Sequence, residues 1–427
     1  MKILLDIEVF WTHFEVSVED YVSKESKCFM VNEFRDDREE LKSYLNSYQG
    51  FMITFNGIRY DFAVLTYLQM NNWFIDLSWE QFCFQVKGFS DKLINTEDEL
   101  FVYQYIDREF KGIIHIDLML YWSKGLRQSK KISLKGLGVQ LNYPVIQELP
   151  YPPDITRLTK EQIDEIHHYC SVHDLGILRL LLNKMNDEVN LRQQILNDYS
   201  IPCWSFDAPK IASEALVNYY GKTTHQSRKD VLGLRFDRPT FKFDDLFDKG
   251  LFSFKTPIFQ SVFDEWMNSR DTFSKEFIVG NIHPLKLSCG IGGLHSLNDC
   301  EVYKTEGEHI IKSSDVSSLY PNLILKFKAF RFEELNQYYK QIMNFRLTET
   351  KPMIKRFKGT DTEKYWKQKD SFFKLLLNST SGLLDNEYSW LFNPIGIMKV
   401  RVGGQLMLLT LIEECLINDI IVVSANT

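Results

Sequence analysis

The sequence is short of several features that would place a chain at once. Its seven cysteines (Cys28, Cys83, Cys170, Cys203, Cys289, Cys300 and Cys415) form no C-x-x-C pair and no metal-ligand spacing. That argues against a disulfide scaffold or a zinc finger and for reduced thiols in a cytosolic setting. No run of eighteen apolar residues occurs, and the opening MKILLDIEVF lacks the basic flank, long apolar core and cleavage site of a secretory signal. A cytoplasmic location without a membrane partner is therefore expected. There is no internal repeat and no low-complexity segment. Four of the 12 prolines fall in one loop, YPVIQELPYPPD. What is present is ordinary globular material: 427 residues, 44% hydrophobic and 25% charged, enough for two or three domains.

The net charge of −7 argues weakly against a nucleic-acid partner, but its distribution does not. Residues 326–374 carry thirteen Lys/Arg against six Asp/Glu, interleaved with Phe327, Phe330, Tyr338, Tyr339, Phe345, Phe357, Tyr365 and Trp366. Such a basic stretch in an acidic chain is either a phosphate-binding surface or a solvated helical face. Upstream, short β-rich runs (MKILLDIEVF, GFMITFNG, KGIIHIDLMLYW) alternate with helical patterns (DFAVLTYLQMNN, DEIHHYCSVHDLGILRLLLNKM), which suggests an α/β domain. DAPKIASEALVNYY has helical spacing, residues 225–285 show no clear period, and HIIKSSDV and DIIVVSANT read as strands.

Asp6 and Glu8 stand two apart on the first predicted strand, so both carboxylates point to one face. On a strand this apolar, two like charges either face water at an edge or need a cation such as a divalent metal. Asn56 and Asp61 fall at a strand-to-helix transition, and Tyr169 and Asp174 on a helix. Four carboxylates at such junctions can build a two-metal site.

The order D-x-E, N-x3-Y-D and then a helix with Tyr and Asp resembles the three motifs of the proofreading 3′–5′ exonucleases attached to DNA polymerases. The resemblance implies that Asp6, Glu8, Asp61 and Asp174 bind two Mg²⁺ or Mn²⁺ ions. It further implies that Tyr169 orients the attacking water and that Asn56 steadies a frayed strand. One spacing departs: Tyr169 and Asp174 are five apart where the family has four. On a straight α-helix this rotates the side chains about 140° apart instead of about 40°. Either the helix is locally distorted or another group, such as His173 or His168, takes the role of Tyr169. Ser133 and Leu134, between the second and third motifs, resemble the family's element that contacts single-stranded DNA.

In the second half, SSDVSSLYPNLI places Asp315 at the end of a predicted strand, before a turn of small hydroxyls and backbone N–H groups that suits a triphosphate. Tyr320 can present a flat ring beneath a sugar. On the helix FFKLLLNSTSGLL, Lys374 and Asn378 share a face. These strings resemble the D-x-x-S-L-Y-P and K-x3-N-S-x-Y-G motifs of family-B DNA polymerases, with Asn378 and Gly382 in register and Ser381 in place of the family's Tyr. By that resemblance Asp315 ligates both catalytic metals, Tyr320 is the steric gate, and Lys374 neutralises the triphosphate. Arg346 is a weaker second contact, and Gly292 and Gly293 lie in an element that touches the template. Ser424 to Thr427 aligns with the start of a third motif whose next residue would be a metal-binding Asp.

The expected architecture is α/β: a ribonuclease-H-like 3′–5′ exonuclease domain (1–190), a linker and start of palm (191–300), palm with the first polymerase motif (301–340), fingers with the second (341–385), and palm again (386–427), with no thumb. A phage-type enzyme with short fingers is the nearest relative by these spacings. Expected partners are primer-template and single-stranded DNA, deoxynucleoside triphosphates and a C-terminal polymerase fragment. A polymerase half needing a second chain, a stand-alone exonuclease and a non-catalytic DNA-binding remnant remain open.

Overall fold

Alternation of side chains along KILLDIEVF makes the first strand, β1 (Lys2–Phe10), and builds two unlike faces. In a computed structural model of the chain, residues 2–96, 98–106, 110, 112–122, 133–280, 283–298, 301–305, 307 and 309–427 are described. Contacts divide them into two units, Met1–Ala208 and Pro209–Thr427.

The first unit is a six-stranded mixed sheet of order β4-β3-β2-β1-β5-β6. Strands β2 (His13–Asp20), β3 (Ser26–Asn32) and β4 (Arg35–Asp36) follow β1 in antiparallel register, and β5 (Gly50–Thr54) and β6 (Ile113–Asp117) add in parallel. Ile3, Leu5, Ile7 and Val9 point to one face and join Val16, Val18, Phe82, Val86 and Leu65 in the larger core. Helices Asp61–Met70 and Trp79–Asn95 cover it, the second started by a capping box of Ser78 and Gln81. The opposite face carries Asp6 and Glu8, with Ser17 and Glu15 directly across on β2. Three consecutive helical segments cover that face: Lys160–His168, begun by the Thr159–Gln162 capping box, a π-helical turn over Tyr169–Asp174, and Leu175–Lys184. Glu15 is fully buried there; although burial pushes its carboxyl up, hydrogen bonds from His13 and His167 hold it at about 2.

The second unit has an antiparallel sheet of β7 (Ser274–Val279), β8 (Leu285–Gly290) and β9 (Gly293–Ser296). Helix Pro394–Ile417 is long and apolar enough to cross a membrane by length and composition alone. Its Val402, Leu406, Leu409 and Ile412 are instead buried with Leu287 and Leu294 of the sheet and Phe259 and Trp266 of helix Pro257–Asn268. Buried Gln405 donates to the carbonyl of Gly290 (2.7 Å) and accepts from its N–H (3.1 Å), pinning helix to hairpin. Helices Glu333–Phe345 and Asp361–Asp385 run antiparallel, since Tyr339 donates to the Leu377 carbonyl, Phe345 meets Phe373, and Arg346 pairs with Asp370. Buried Phe330 and Tyr339 are core residues, so these aromatics of the basic stretch do not face a ligand.

Two expected strands are absent. Residues 309–316 are irregular, with Ile310, Ile311 and Val316 exposed (68%, 51% and 53%), because no strand among the described residues offers their backbone a ladder. DIIVVSANT makes only a single bridge, Asn426 opposite His295, supported by Ser296 N–H to the Ala425 carbonyl and Thr427 N–H to that of Leu294 (both 3.0 Å).

Candidate active site

Four carboxylates from three elements of the first unit crowd one another. Asp6 and Glu8 come from β1, Asp61 opens helix Asp61–Met70, and Asp174 closes the π turn. Burial, then the neighbouring Asp174 charge, pushes the Asp6 carboxyl up to about 8. Glu8 rises through burial and then Asp6 and Asp174, and Asp61 through burial and then Asp6 and Asp117. Asp174 rises through burial, opposed by a hydrogen bond from Tyr169 and the charge of Lys135. Burial leads in every case, and for Asp6, Glu8 and Asp61 the charge of neighbouring carboxylates adds to it.

The π turn accounts for the five-residue spacing. Leu175 N–H bonds to the Cys170 carbonyl, five residues back, so Tyr169 and Asp174 are stacked on one side rather than rotated apart. The Tyr169 side chain lies beside Asp174, and its ring lies under the Lys135 ammonium, 5.1 Å from the centroid. His173 is buried beside Tyr169 with Nδ1 lacking a hydrogen-bond partner, whereas His168 is exposed. The Cys170 thiol donates to Asp6 at 3.2 Å.

Asp117, at the end of β6, was not singled out by the motifs. Its carboxylate accepts from the backbone N–H groups of Asn56 (2.9 Å), Ile58 (3.1 Å) and Met119 (3.0 Å), which fixes the turn leading into Asp61. Burial raises it to about 6 against those bonds. The signal was an acidic residue ending an apolar strand, the reasoning applied to Asp315. Within that turn Asn56 takes a left-handed conformation (φ 63°), and a Cβ at Gly57 would lie 2.0 Å from Thr54 Oγ1. Ser133 caps helix Leu134–Gln140 by accepting from Gly136 N–H (3.0 Å), which puts Lys135 against the carboxylates. Lys135 also reaches Glu148 (2.9 Å).

The residues fit a divalent cation. All offered ligands but one are hard oxygens, Asp61 and Asp174 are buried and Asp6 and Glu8 half-buried, and Oδ1 of Asp174 has no hydrogen-bond partner among the described residues. Ligand atoms of Asp6, Glu8 and Cys170 lie within 4.8 Å of one another, so the one soft donor is the Cys170 sulfur.

In the second unit, Asp315 is exposed on the irregular segment, and Ser318 (φ 57°) precedes helix Leu319–Lys326, which holds half-buried Tyr320. Lys374 and Asn378 are exposed on one face of helix Asp361–Asp385. A Cβ at Gly382 would meet nothing within 4 Å. Arg346 is held by Asp370 through two bonds (2.9 and 3.1 Å), an internal clasp that a triphosphate would have to compete with. Gly292 and Gly293 form the tight turn of the β8–β9 hairpin, where Gly290 pairs with Gly293. Asp385, the other acidic group near this helix, pairs with Arg401.

No known family profile matches the chain, and no curated protein does. Solved structures do. The fold is similar to that of a family B DNA polymerase. The match is to the enzyme of the hyperthermophilic archaeon Pyrobaculum calidifontis, with TM-score 0.56 and 12% identity over 100% of this chain and 52% of that one. The chain thus spans about half the length of that polymerase.

Proposed function

We propose that the first unit is a metal-dependent 3′–5′ exonuclease acting on single-stranded DNA. We further propose that the second unit is the partial palm and fingers of a family-B DNA polymerase, handling primer-template and deoxynucleoside triphosphates. The observation that supports the nuclease reading is the convergence of Asp6, Glu8, Asp61 and Asp174, drawn from three elements, with Tyr169 beside Asp174. Mg²⁺ or Mn²⁺ held by these four would activate water and stabilise the leaving 3′ oxygen. The protein's own groups do the rest. Tyr169 orients the water through its hydroxyl, Lys135 offsets negative charge at the scissile phosphate, and Asp117 fixes the Asn56 turn against which the strand end rests. Ser133 and Leu134 lie at the start of the Lys135 helix, where single-stranded DNA would approach.

In the polymerase reading, Asp315 is a metal ligand, Tyr320 the sugar gate, and Lys374 with Asn378 the triphosphate face, supported by their placement at one helix start and on one helix side. Gly292, Gly293 and Gly382 allow close approach of template and primer. Arg346 joins only if the Asp370 clasp opens. A phage-type enzyme with short fingers fits the motif spacing.

The test is degradation of a 5′-labelled single-stranded oligonucleotide by the whole chain with Mg²⁺ or Mn²⁺. We expect nucleotide-by-nucleotide shortening from the 3′ end, reduced by several orders of magnitude in the double variant Asp6→Ala/Glu8→Ala. Equal rates in wild type and double variant would reject the assignment.

A further inference from the structure

The carboxylate face of the first sheet holds a second cluster, two strands over, that the nuclease reading does not use. Ligand atoms of Glu15 on β2, Cys28 on β3 and His167 at the end of helix Lys160–His168 all lie within 4.8 Å of one another. No spacing in the sequence announces it, because the three come from residues 15, 28 and 167 and meet only when the helix docks on the sheet.

We propose that Glu15, Cys28 and His167 form a zinc site that fastens helix Lys160–His168 to the sheet immediately before the Tyr169–Asp174 turn. One sulfur, one imidazole nitrogen and one carboxylate oxygen is a donor set that suits Zn²⁺ and not Mg²⁺. Tetrahedral zinc needs its donors roughly 3.5 Å apart, which small side-chain movements supply from the observed separations. The carboxylate is already oriented. Ser17 Oγ donates to Glu15 Oε1 (2.6 Å) and His167 Nδ1 lies 2.7 Å from the same atom. His13 Nε2 contacts Oε2 at 3.3 Å, with Asn32 Nδ2 holding the far side of that ring at 3.2 Å. A ligand buttressed by an ordered imidazole and amide is the outer-shell arrangement that metal sites use. A recess of about 60 Å³, lined by Ser17, Cys28, His167 and Ser171 among others, opens beside the cluster and has room for a water as fourth ligand. Binding would release the thiol proton of Cys28 to solvent, and His167 would ligate as the neutral ring with its proton on Nε2, an imidazolium first giving up one proton. The inference does not depend on the nuclease reading.

The test uses the whole chain, stripped with EDTA, reloaded with ZnCl₂ and desalted, with zinc measured by mass spectrometry. We expect about one tightly held zinc per chain that excess Mg²⁺ does not displace. In Cys28→Ser zinc affinity should fall on the order of 100-fold or more, and in His13→Gln about 10-fold. Loading with Co²⁺ should give a thiolate-to-cobalt charge-transfer band that survives Cys170→Ser and disappears in Cys28→Ser. Wild type that retains no zinc overturns the proposal. So does a band lost in Cys170→Ser and kept in Cys28→Ser, which would put the ion among the nuclease carboxylates instead.

Discussion

Replacing Asp6 by Asn and Glu8 by Gln should make the cation-free protein more stable while abolishing the proposed nuclease activity. The Asp6 carboxyl is pushed from 3.8 to about 8 by burial and by Asp174. Between those values the folded chain holds a proton that the unfolded chain releases, so stability falls as pH rises through this window. At pH 7 the displacement is about three units, or about 4 kcal/mol at 1.36 kcal/mol per unit. Glu8 is raised in the same sense. Amides of the same shape remove the charge but still bury a dipole, so we expect a gain of about 2–4 kcal/mol at pH 8. For a unit of this size that is roughly 5–15 °C in Tm. Calorimetry in EDTA at pH 4 and pH 8 measures it; at pH 4 the folded Asp6 is protonated and the unfolded one roughly half so, and the gain should shrink to under about 1 kcal/mol. Saturating Mn²⁺ should reverse the order, since only wild type gains binding free energy. A double variant no more stable than wild type at pH 8, or equally stabilised at both pH values, would refute the idea that unbalanced buried charge defines this site.

Deleting exposed Val172 from the π turn should convert Tyr169-x4-Asp174 to an α-helical four-residue step, leaving both flanking helices in register. We expect nuclease activity within about 10-fold of wild type, and folding checked by circular dichroism; total loss of activity in a folded variant would show that the turn itself is needed. Asp117→Ala strands three backbone N–H groups and should destabilise the first unit by about 2–4 kcal/mol in urea denaturation. Lys374→Ala, at an exposed position, should leave Tm within about 1 °C and weaken deoxynucleotide binding at least about 10-fold by fluorescence titration; unchanged affinity would remove Lys374 from the triphosphate face.

The D-x-E pair was legible because a period of two on an apolar strand can be read directly, and the structure places both side chains on one sheet face. The helices Asp61–Met70 and Ala208–Thr224 were legible from their spacing. The π turn was not, since i to i+5 bonding has no compositional mark; only the odd Tyr169–Asp174 spacing pointed to it. The clasp of Arg346 by Asp370 joins residues 24 apart on antiparallel helices, which a one-dimensional reading treats as two independent charges. Residues 309–316 looked like a strand because β-branched residues favour one locally, but a strand also needs a neighbour, which lies outside its own sequence. Asp117 was simply passed over.

The carboxylates of β1 and β2 draw long-range partners from one stretch of chain, residues 167–179. Glu15 meets His167 across 152 residues and Glu19 meets Arg179 across 160, while Asp6 meets Cys170 across 164. These bonds cannot form while the chain is being made until residue 179 has emerged from the ribosome. Strands β1 to β3 can pair early as local hairpins, but one face of their sheet stays open, with four acidic groups on it and no cover. The first unit therefore closes late in synthesis, and its folding rate is governed by long-range docking of a helical pair more than by the hairpins that begin it.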